Sequence, residues 1–288
     1  MKIGVTFPQT EIGSDPAKIR EFVTTAEGLG YTYMDIRDHV LGADHTVRPN
    51  WNPPLRRVPP YNHKDMFHEV FVLLGYVAGM TKKMQLMTQI LVLPQRQTAL
   101  VAKQAAEVDV LSNGRLILGV AAGWNDVEFE ALNENYKNRG SRLEEQIEVL
   151  RLLWTQEVVT FKGKYHTITA AGINPMPVQR PIPIIVGAGD AEKGWRRAAR
   201  IGDGFAGGGA AVRQYAQEAG RDLSKLIFTG AVGPIADLDA CVKRADAQKA
   251  MGTTHCVVST LDYGLTSFSQ HIDTITQFAK KAKHLMAS

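Results

Sequence analysis

Residues 112–125 read SNGRLILGVAAGWN. The apolar run RLILGV ends in Ala-Ala-Gly, and a bulky Trp124 and then Asn125 follow at once. A near-continuous apolar run of this kind suits a strand buried on both faces, as in a parallel sheet covered by helices. Asn125-Asp-Val-Glu128 then reads as a helix start, because an Asn side chain can accept from the first free backbone N–H groups. Strand, loop and capped helix make one βα unit, with Trp124 in the connecting loop.

The same alternation extends outward in both directions. Strand-like runs lie at 2–7, 31–37, 84–93, 115–120, 182–187, 203–208, 226–232 and 255–261. Helical patterns lie at 16–29, 64–80, 98–112, 126–132 with 141–154, 190–201, 211–219, 237–251 and 267–285. Eight such units in 288 residues predict an α/β chain folded as a (β/α)8 TIM barrel, a single domain over residues 1–288 with insertions after strand 2 and strand 4. A doubly wound open sheet is the competing arrangement, since the run at 203–208 is the weakest strand. The insertions are residues 40–63, with five prolines, and residues 155–181, where VVTFKGKYHTI reads as a short hairpin. Both hold aromatics and are expected to be ordered lids. Ser141-Arg-Leu-Glu144 reads as a capping box for the helix that follows.

Composition removes several function classes. The net charge of +4 is spread over separate helices, without the concentrated stripe or module that nucleic-acid binding needs. No apolar stretch approaches a membrane span, and MKIGVTFPQ enters a strand with no basic segment before it, so a cytoplasmic location is expected. Cys241 and Cys256 are isolated thiols that form no CxxC pair, which fits a reducing compartment. There is no GxxxxGK[ST] loop and no GxSxG elbow. The histidines and acids between His39 and His68 match no metal-site spacing, so no metal is expected.

In a barrel the strand C-termini form one rim. Reading those ends brings together Phe7, Asp38-His39, Ala122-Gly123-Trp124, Gly187-Ala188-Gly189 and Gly207-Gly208-Gly209. Bare backbone at neighbouring tips would leave room for a flat ring carrying a phosphate. The segment IVGAGDAE (185–192) is the phosphate candidate, because strand-to-helix N–H groups and the helix dipole converge there. A ligand-free tight turn is the alternative reading. His39 can exchange a proton near neutral pH, and Asp38 can orient a ligand; a loop His beside a capping Asp is the alternative. Asp35 and Arg37 share strand parity and are expected to pair as ions.

The stretch from Gln89 to Asn125, with RGSRLEEQIEVLRLLWTQEVVTFKGKYH, PIPIIVGAGDAE and DHVLGAD, resembles the bacterial-luciferase-like superfamily. It is most similar to the branch that uses the deazaflavin coenzyme F420. The resemblance implies a TIM-like barrel, commonly a homodimer, with a flavin-type ring at the C-terminal rim. It places a non-prolyl cis peptide at Gln89–Ile90, the Asp-His pair at Asp38 and His39, the small turn at Ala122, Gly123 and Trp124, and the phosphate side at Gly187, Ala188 and Gly189. Relatives often carry an aromatic and a small residue where Asp35 and Arg37 stand. Trp124 replaces a proton-shuttling Glu of some sugar-phosphate-oxidising relatives, which argues against such a substrate.

The expectation is therefore an oxidoreductase moving a hydride between F420 and an organic small molecule. His39 is the catalytic residue, Asp38, Gln89, Ile90, Ala122, Gly123, Gly187, Ala188 and Gly189 hold the cofactor, and Phe7 and Trp124 line the substrate side. An FMN-dependent two-component monooxygenase, with a flavin or F420 reductase as partner, is the alternative. A flavin-binding barrel without catalysis is the third reading.

Overall fold

In the computed structural model, which describes residues 1–48, 51, 60–189, 192–207 and 209–286, parallel strands close into a ring. The strands are β1 (Lys2–Thr6), β2 (Tyr33–Ile36), β3 (Gln85–Thr88), β4 (Leu91–Val92), β5 (Leu116–Ala121), a hairpin of β6 (Val159–Lys162) and β7 (Thr167–Ala171), then β8 (Ile184–Gly187), β9 (Gly204–Ala206), β10 (Ile227–Val232) and β11 (His255–Val258). The helices are α1 (Pro16–Gly28), α2 (Val70–Met80), α3 (Thr98–Ser112), α4 (Asp126–Ala131), α5 (Arg139–Thr155), α6 (Glu192–Ile201), α7 (Gly209–Glu218), α8 (Leu238–Ala250), α9 (Phe268–Lys281) and α10 (Lys283–Met286).

Around the ring the order is β1, β2, β3, β5, β8, β9, β10, β11 and back to β1. Closure rests on Leu86 opposite Leu116 on one side and Lys2 opposite His255 on the other. The open-sheet alternative is thereby excluded. Short as it is, β9 pairs with both β8 and β10.

Strand alternation sorts the side chains into two cores. Tyr33, Met87, Ile117, Ile185, Ala206 and Val257 fill the barrel, with Ile90 and Ile227 packed on them. Gly4 belongs to this inner set, since a Cβ there would lie 2.4 Å from the Tyr33 ring. Its odd-numbered neighbours Ile3, Val5 and Phe7 face the helices instead. Phe7 is fully buried edge-on to Phe22, centroids 5.8 Å apart. It therefore lines no substrate space, and the assignment of Phe7 to the substrate side is corrected by parity alone. Each such fully buried aromatic or branched side chain contributes roughly 1.5–3 kcal/mol.

The apolar run 84–93 is two strands. It breaks at the cis Gln89–Ile90 bond, which the family resemblance implied, after which β4 pairs with β5 alone. The neighbouring strands give way to this break. A Cβ at Gly119 would lie 2.0 Å from the Thr88 carbonyl oxygen, one at Gly187 would lie 2.7 Å from Ile90 Cδ1, and one at Gly123 would lie 2.4 Å from Val92 Cγ1. Three of the bare positions near the rim thus accommodate protein rather than a ligand. The tips with nothing within 4 Å are Gly189, Gly207 and Gly209; Gly208 lies outside the described residues.

The two insertions differ in kind. The first leans on α4: Trp51 Nε1 donates to Asp126 Oδ1 (2.9 Å) and Arg48 pairs with Glu130. Residues 49–50 and 52–59 of this expected lid lie outside the described residues. The second contains the expected hairpin, but it is a clasp against α3 and α5 and not a lid. Glu145 accepts from the backbone N–H groups of Lys164, Tyr165 and His166 and from His166 Nδ1, while His166 Nε2 meets Thr98 Oγ1. Gln179, further along, is tied to Asp109 at the end of α3. The capping box at Ser141 does not form, because α5 already begins at Arg139. Ser141 Oγ bonds to the Asn138 carbonyl and the Tyr165 hydroxyl, and Glu144 is taken by Arg197 and Arg200.

Candidate active site at the barrel rim

The β2 tip carries three polar residues in a row, and each goes a different way. Arg37 reaches outward to Asp262, Nη1 to Oδ2 2.6 Å, so the expected pair with Asp35 does not exist. Asp38 is 2% exposed and spent within the protein. Its Oδ1 accepts from Arg96 Nη2 (2.8 Å) and its Oδ2 from the Val92 N–H (3.1 Å). Asp38 thus fastens the strand beyond the cis bond; where a ligand contact was expected, the structure places a positioning residue.

His39 is the centre of the rim. Its Nδ1 lies 2.7 Å from the Tyr61 hydroxyl and 3.3 and 3.4 Å from the two Glu128 oxygens. Glu128 is fully buried and also accepts from the Val40 N–H (2.8 Å) and Gln95 Nε2 (3.0 Å). Burial opposes its ionisation, but the hydrogen bond and charge of His39, with Gln95 and Val40, outweigh burial and hold the carboxyl below its ordinary range. Burial, reinforced by the Glu128 charge, pushes the Tyr61 phenol well up, so it stays a neutral O–H.

The Tyr61 hydroxyl accepts from Asn125 Nδ2 at 2.7 Å, which leaves its own proton to donate. Nδ1 of His39 is therefore satisfied in both tautomers of the ring. When bare it accepts from Tyr61, and when protonated it donates to Glu128. With Nδ1–H held on Glu128, the ring can gain or lose a proton at Nε2 without stranding a buried polar atom. That property suits general acid–base work. Around it sit Tyr61 (centroids 4.1 Å), Phe67 (5.0 Å) and Trp124 (5.8 Å).

Asn125 caps α4 as expected, Oδ1 accepting from Val127 N. This short helix presents Glu128 inward, and the turn Leu93–Gln95 presents Gln95 to it. Sequence reading singled out His39 and Trp124 and missed Tyr61, Glu128 and Gln95. Tyr61 lies in the proline-rich insertion. Glu128 sits in EFE, where one buried acid looks like any exposed one.

Four residues back along β2, Asp35 faces a cavity of about 260 Å³ inside the barrel mouth. Tyr33, Met87, Gln89, Gly207, Thr229 and Val257 share its lining. Burial pushes the Asp35 carboxyl up to about 7, against a hydrogen bond from Thr6 and the charge of Arg37. The buried Gln89 Oε1 has no hydrogen-bond partner among the described residues.

The Gly187–Gly189 turn is less open than a phosphate cradle requires. Ala188 donates its N–H to the Ala206 carbonyl (2.9 Å), and Gly189 O accepts from Trp195 Nε1 (2.9 Å). Asp190 and Ala191 lie outside the described residues. At the strand-4 turn, Gly123 adopts φ +79° and its carbonyl accepts from Arg139 Nε, so Gly123 is committed to the turn itself, with Ala122 partly exposed before it. Among the described residues no group of three or more His, Cys, Asp or Glu is arranged to hold a metal ion, and no helix is long and apolar enough to cross a membrane.

The luciferase-like monooxygenase family matches residues 1–284. The chain belongs to this family. It is 33% identical over 210 residues to an uncharacterized protein of Mycobacterium tuberculosis (strain ATCC 25618 / H37Rv), covering 68% of this chain and 70% of that one. It is 32% identical over 217 residues to the F420-dependent glucose-6-phosphate dehydrogenase of Amycolatopsis mediterranei (strain U-32), covering 71% and 56%. In fold it is similar to the monooxygenase RslO1 from Streptomyces bottropensis, with a TM-score of 0.79, 17% identity and full coverage of both chains. The luciferase-like relatives include F420-dependent dehydrogenases and monooxygenases, and this chain is an oxidoreductase of that type.

Proposed function

We propose that this luciferase-like protein moves a hydride between coenzyme F420 and an organic small molecule, with His39 handling the accompanying proton. The observation that carries the reading is the engaged Nδ1 of His39, held by Glu128 and Tyr61, which leaves Nε2 to exchange the proton. Such a group, four residues beyond Asp35 of the mouth cavity, is what proton-coupled hydride chemistry requires.

The residues present fit a flat ring. Among the described residues, the cavity at the mouth holds a buried oxygen without a donor, Gln89 Oε1, and open space in front of Gly207. In this reading Gln89, Ile90, Ala122 and Gly189 would hold the coenzyme. When bound, it supplies the hydride-carrying centre. His39 Nε2 then gives or takes the proton at the substrate oxygen or nitrogen, Glu128 stabilises the charged imidazole, and Tyr61, Phe67 and Trp124 shield the site from water. The 32% identity to an F420-dependent dehydrogenase supports the deazaflavin.

A second reading, an FMN-dependent monooxygenase supplied by a separate reductase, is supported by 31% identity over 179 residues to the pyrimidine monooxygenase RutA of Allorhizobium ampelinum (strain ATCC BAA-846 / DSM 112012 / S4). Titration with F420 and with FMN, followed by fluorescence quenching, separates the two. Tight binding of F420 and none of FMN is the expected result; the reverse replaces the first reading by the second. Loss of turnover in His39→Ala with unchanged coenzyme affinity is expected in either case, and full turnover would remove His39 from the chemistry.

A further inference from the structure

The cavity inside the barrel mouth has a feature the hydride chemistry does not use. Asp35 is 3% exposed, and among the described residues no Lys, Arg or His shares the lining with it. Arg37, the nearest cation in sequence, is engaged outside by Asp262. Facing the same space, Gln89 holds a buried Oε1 with no donor among the described residues. The Asp35 carboxyl has a hydrogen bond from Thr6 but no cation in this space, and a buried amide oxygen left without a donor is costly unless a ligand completes it. The carboxyl, pushed up to about 7 by burial, can offer either an acceptor pair or one O–H and one acceptor at neutral pH. The amide of Gln89 offers one acceptor and a donor pair. These two groups complement a planar edge that alternates acceptor, donor and acceptor.

We propose that Asp35 and Gln89 form a subsite for the imide edge, –CO–NH–CO–, of a planar ring. Two sources carry this edge. One is the pyrimidine end of a deazaflavin or flavin, and this arm rests on the function proposed above. The other is a pyrimidinedione entering as substrate. In both, the ring N–H donates to Asp35 or to Gln89 Oε1, and a ring carbonyl accepts from the Gln89 amide or the protonated carboxyl.

The test is equilibrium titration of the whole protein with F420, FMN, their N3-methylated counterparts and uracil, read by fluorescence quenching or calorimetry. A ring N–H that meets a buried acceptor loses about tenfold or more in affinity when methylated. N3-methylation is expected to weaken the bound coenzyme by that factor, and Asp35→Leu to abolish the difference, while Asp35→Asn, which keeps an amide edge, preserves it. If methylation has no effect but uracil binds, and Asp35→Leu weakens uracil about tenfold, the subsite stands with the substrate as its source. Coenzyme binding indifferent to methylation together with no binding of uracil overturns the subsite and leaves the proposed function intact. If neither coenzyme binds, the proposed function falls, and the uracil titration alone upholds or overturns the subsite. The N3-methyl comparison uses unaltered protein, so it decides even if Asp35→Leu does not fold.

Discussion

Asn125 holds α4 and the histidine network with one side chain: Oδ1 accepts from the Val127 N–H at 3.1 Å while Nδ2 donates to the Tyr61 hydroxyl at 2.7 Å. The two functions separate by substitution. Asn125→Asp keeps the cap but removes the donor, so stability should stay within about 1 kcal/mol while turnover falls. Asn125→Ala loses both, at about 1–3 kcal/mol. Urea unfolding alongside steady-state kinetics checks this; equal damage from both variants would mean that capping is the only role.

Glu128→Gln keeps the shape of the buried acid and removes its charge. We expect kcat to drop roughly 10–100-fold, with coenzyme affinity unchanged. The variant also has an acid-side signature. The folded Glu128 carboxyl lies below its ordinary value, so its contribution to stability is present in full above about pH 4.3 and is lost as pH falls through the folded value. Unfolding curves between pH 3 and pH 7 should therefore show a shallower acid loss in Glu128→Gln than in the parent.

Asp35 has the opposite sign. Its folded carboxyl titrates at about 7, far above an unfolded Asp. The folded state binds the extra proton between these values, so Asp35 makes the protein less stable as pH rises from about 4 to 7. Asp35→Asn should stabilise the protein at pH 8, by up to about 4 kcal/mol, and hardly at all at pH 4. Parent and variant are compared at each pH, so that buried His255 and His271, both lowered to about 4 by desolvation, cancel. A difference that does not change with pH would place Asp35 in contact with solvent.

The glycines near the rim divide into filled and open, and alanine tells them apart. Gly119→Ala drives a Cβ to 2.0 Å from the Thr88 carbonyl and should cost about 3 kcal/mol or more, because backbone must shift. Gly207→Ala meets nothing within 4 Å and carries only the penalty of φ +82°, about 1 kcal/mol. Thermal unfolding of the two proteins gives the ranking directly.

Arg96→Met leaves the Asp38 carboxyl buried without its cation. A loss of about 3–5 kcal/mol is expected, and Asp38→Asn in the same protein should restore part of it. Additive losses in the double variant would show that the two side chains do not interact.

Much of this protein was legible in one dimension. Buried parallel strands are apolar on both faces, so RLILGV and its seven counterparts announce eight βα units, and Asn125 announces a helix start. His39 stands out because it follows a strand directly. Parity within a strand was also available, and it would have placed Phe7 with the helices. What only the tertiary structure decided is who meets whom. Arg37 could reach Asp35 by spacing, yet the chain turns beyond Ile36 and brings Asp262 closer. Gly123 and Gly187 read as space for a ligand, yet the residues around the break at Gln89–Ile90 fill them. Tyr61 and Glu128, 67 residues apart in the chain, are joined at His39 only because the barrel closes. Local pattern sets where each side chain points relative to its own strand or helix; closure of the ring sets which distant side chain it finds there, and hydrogen bonds and charge act only at that range.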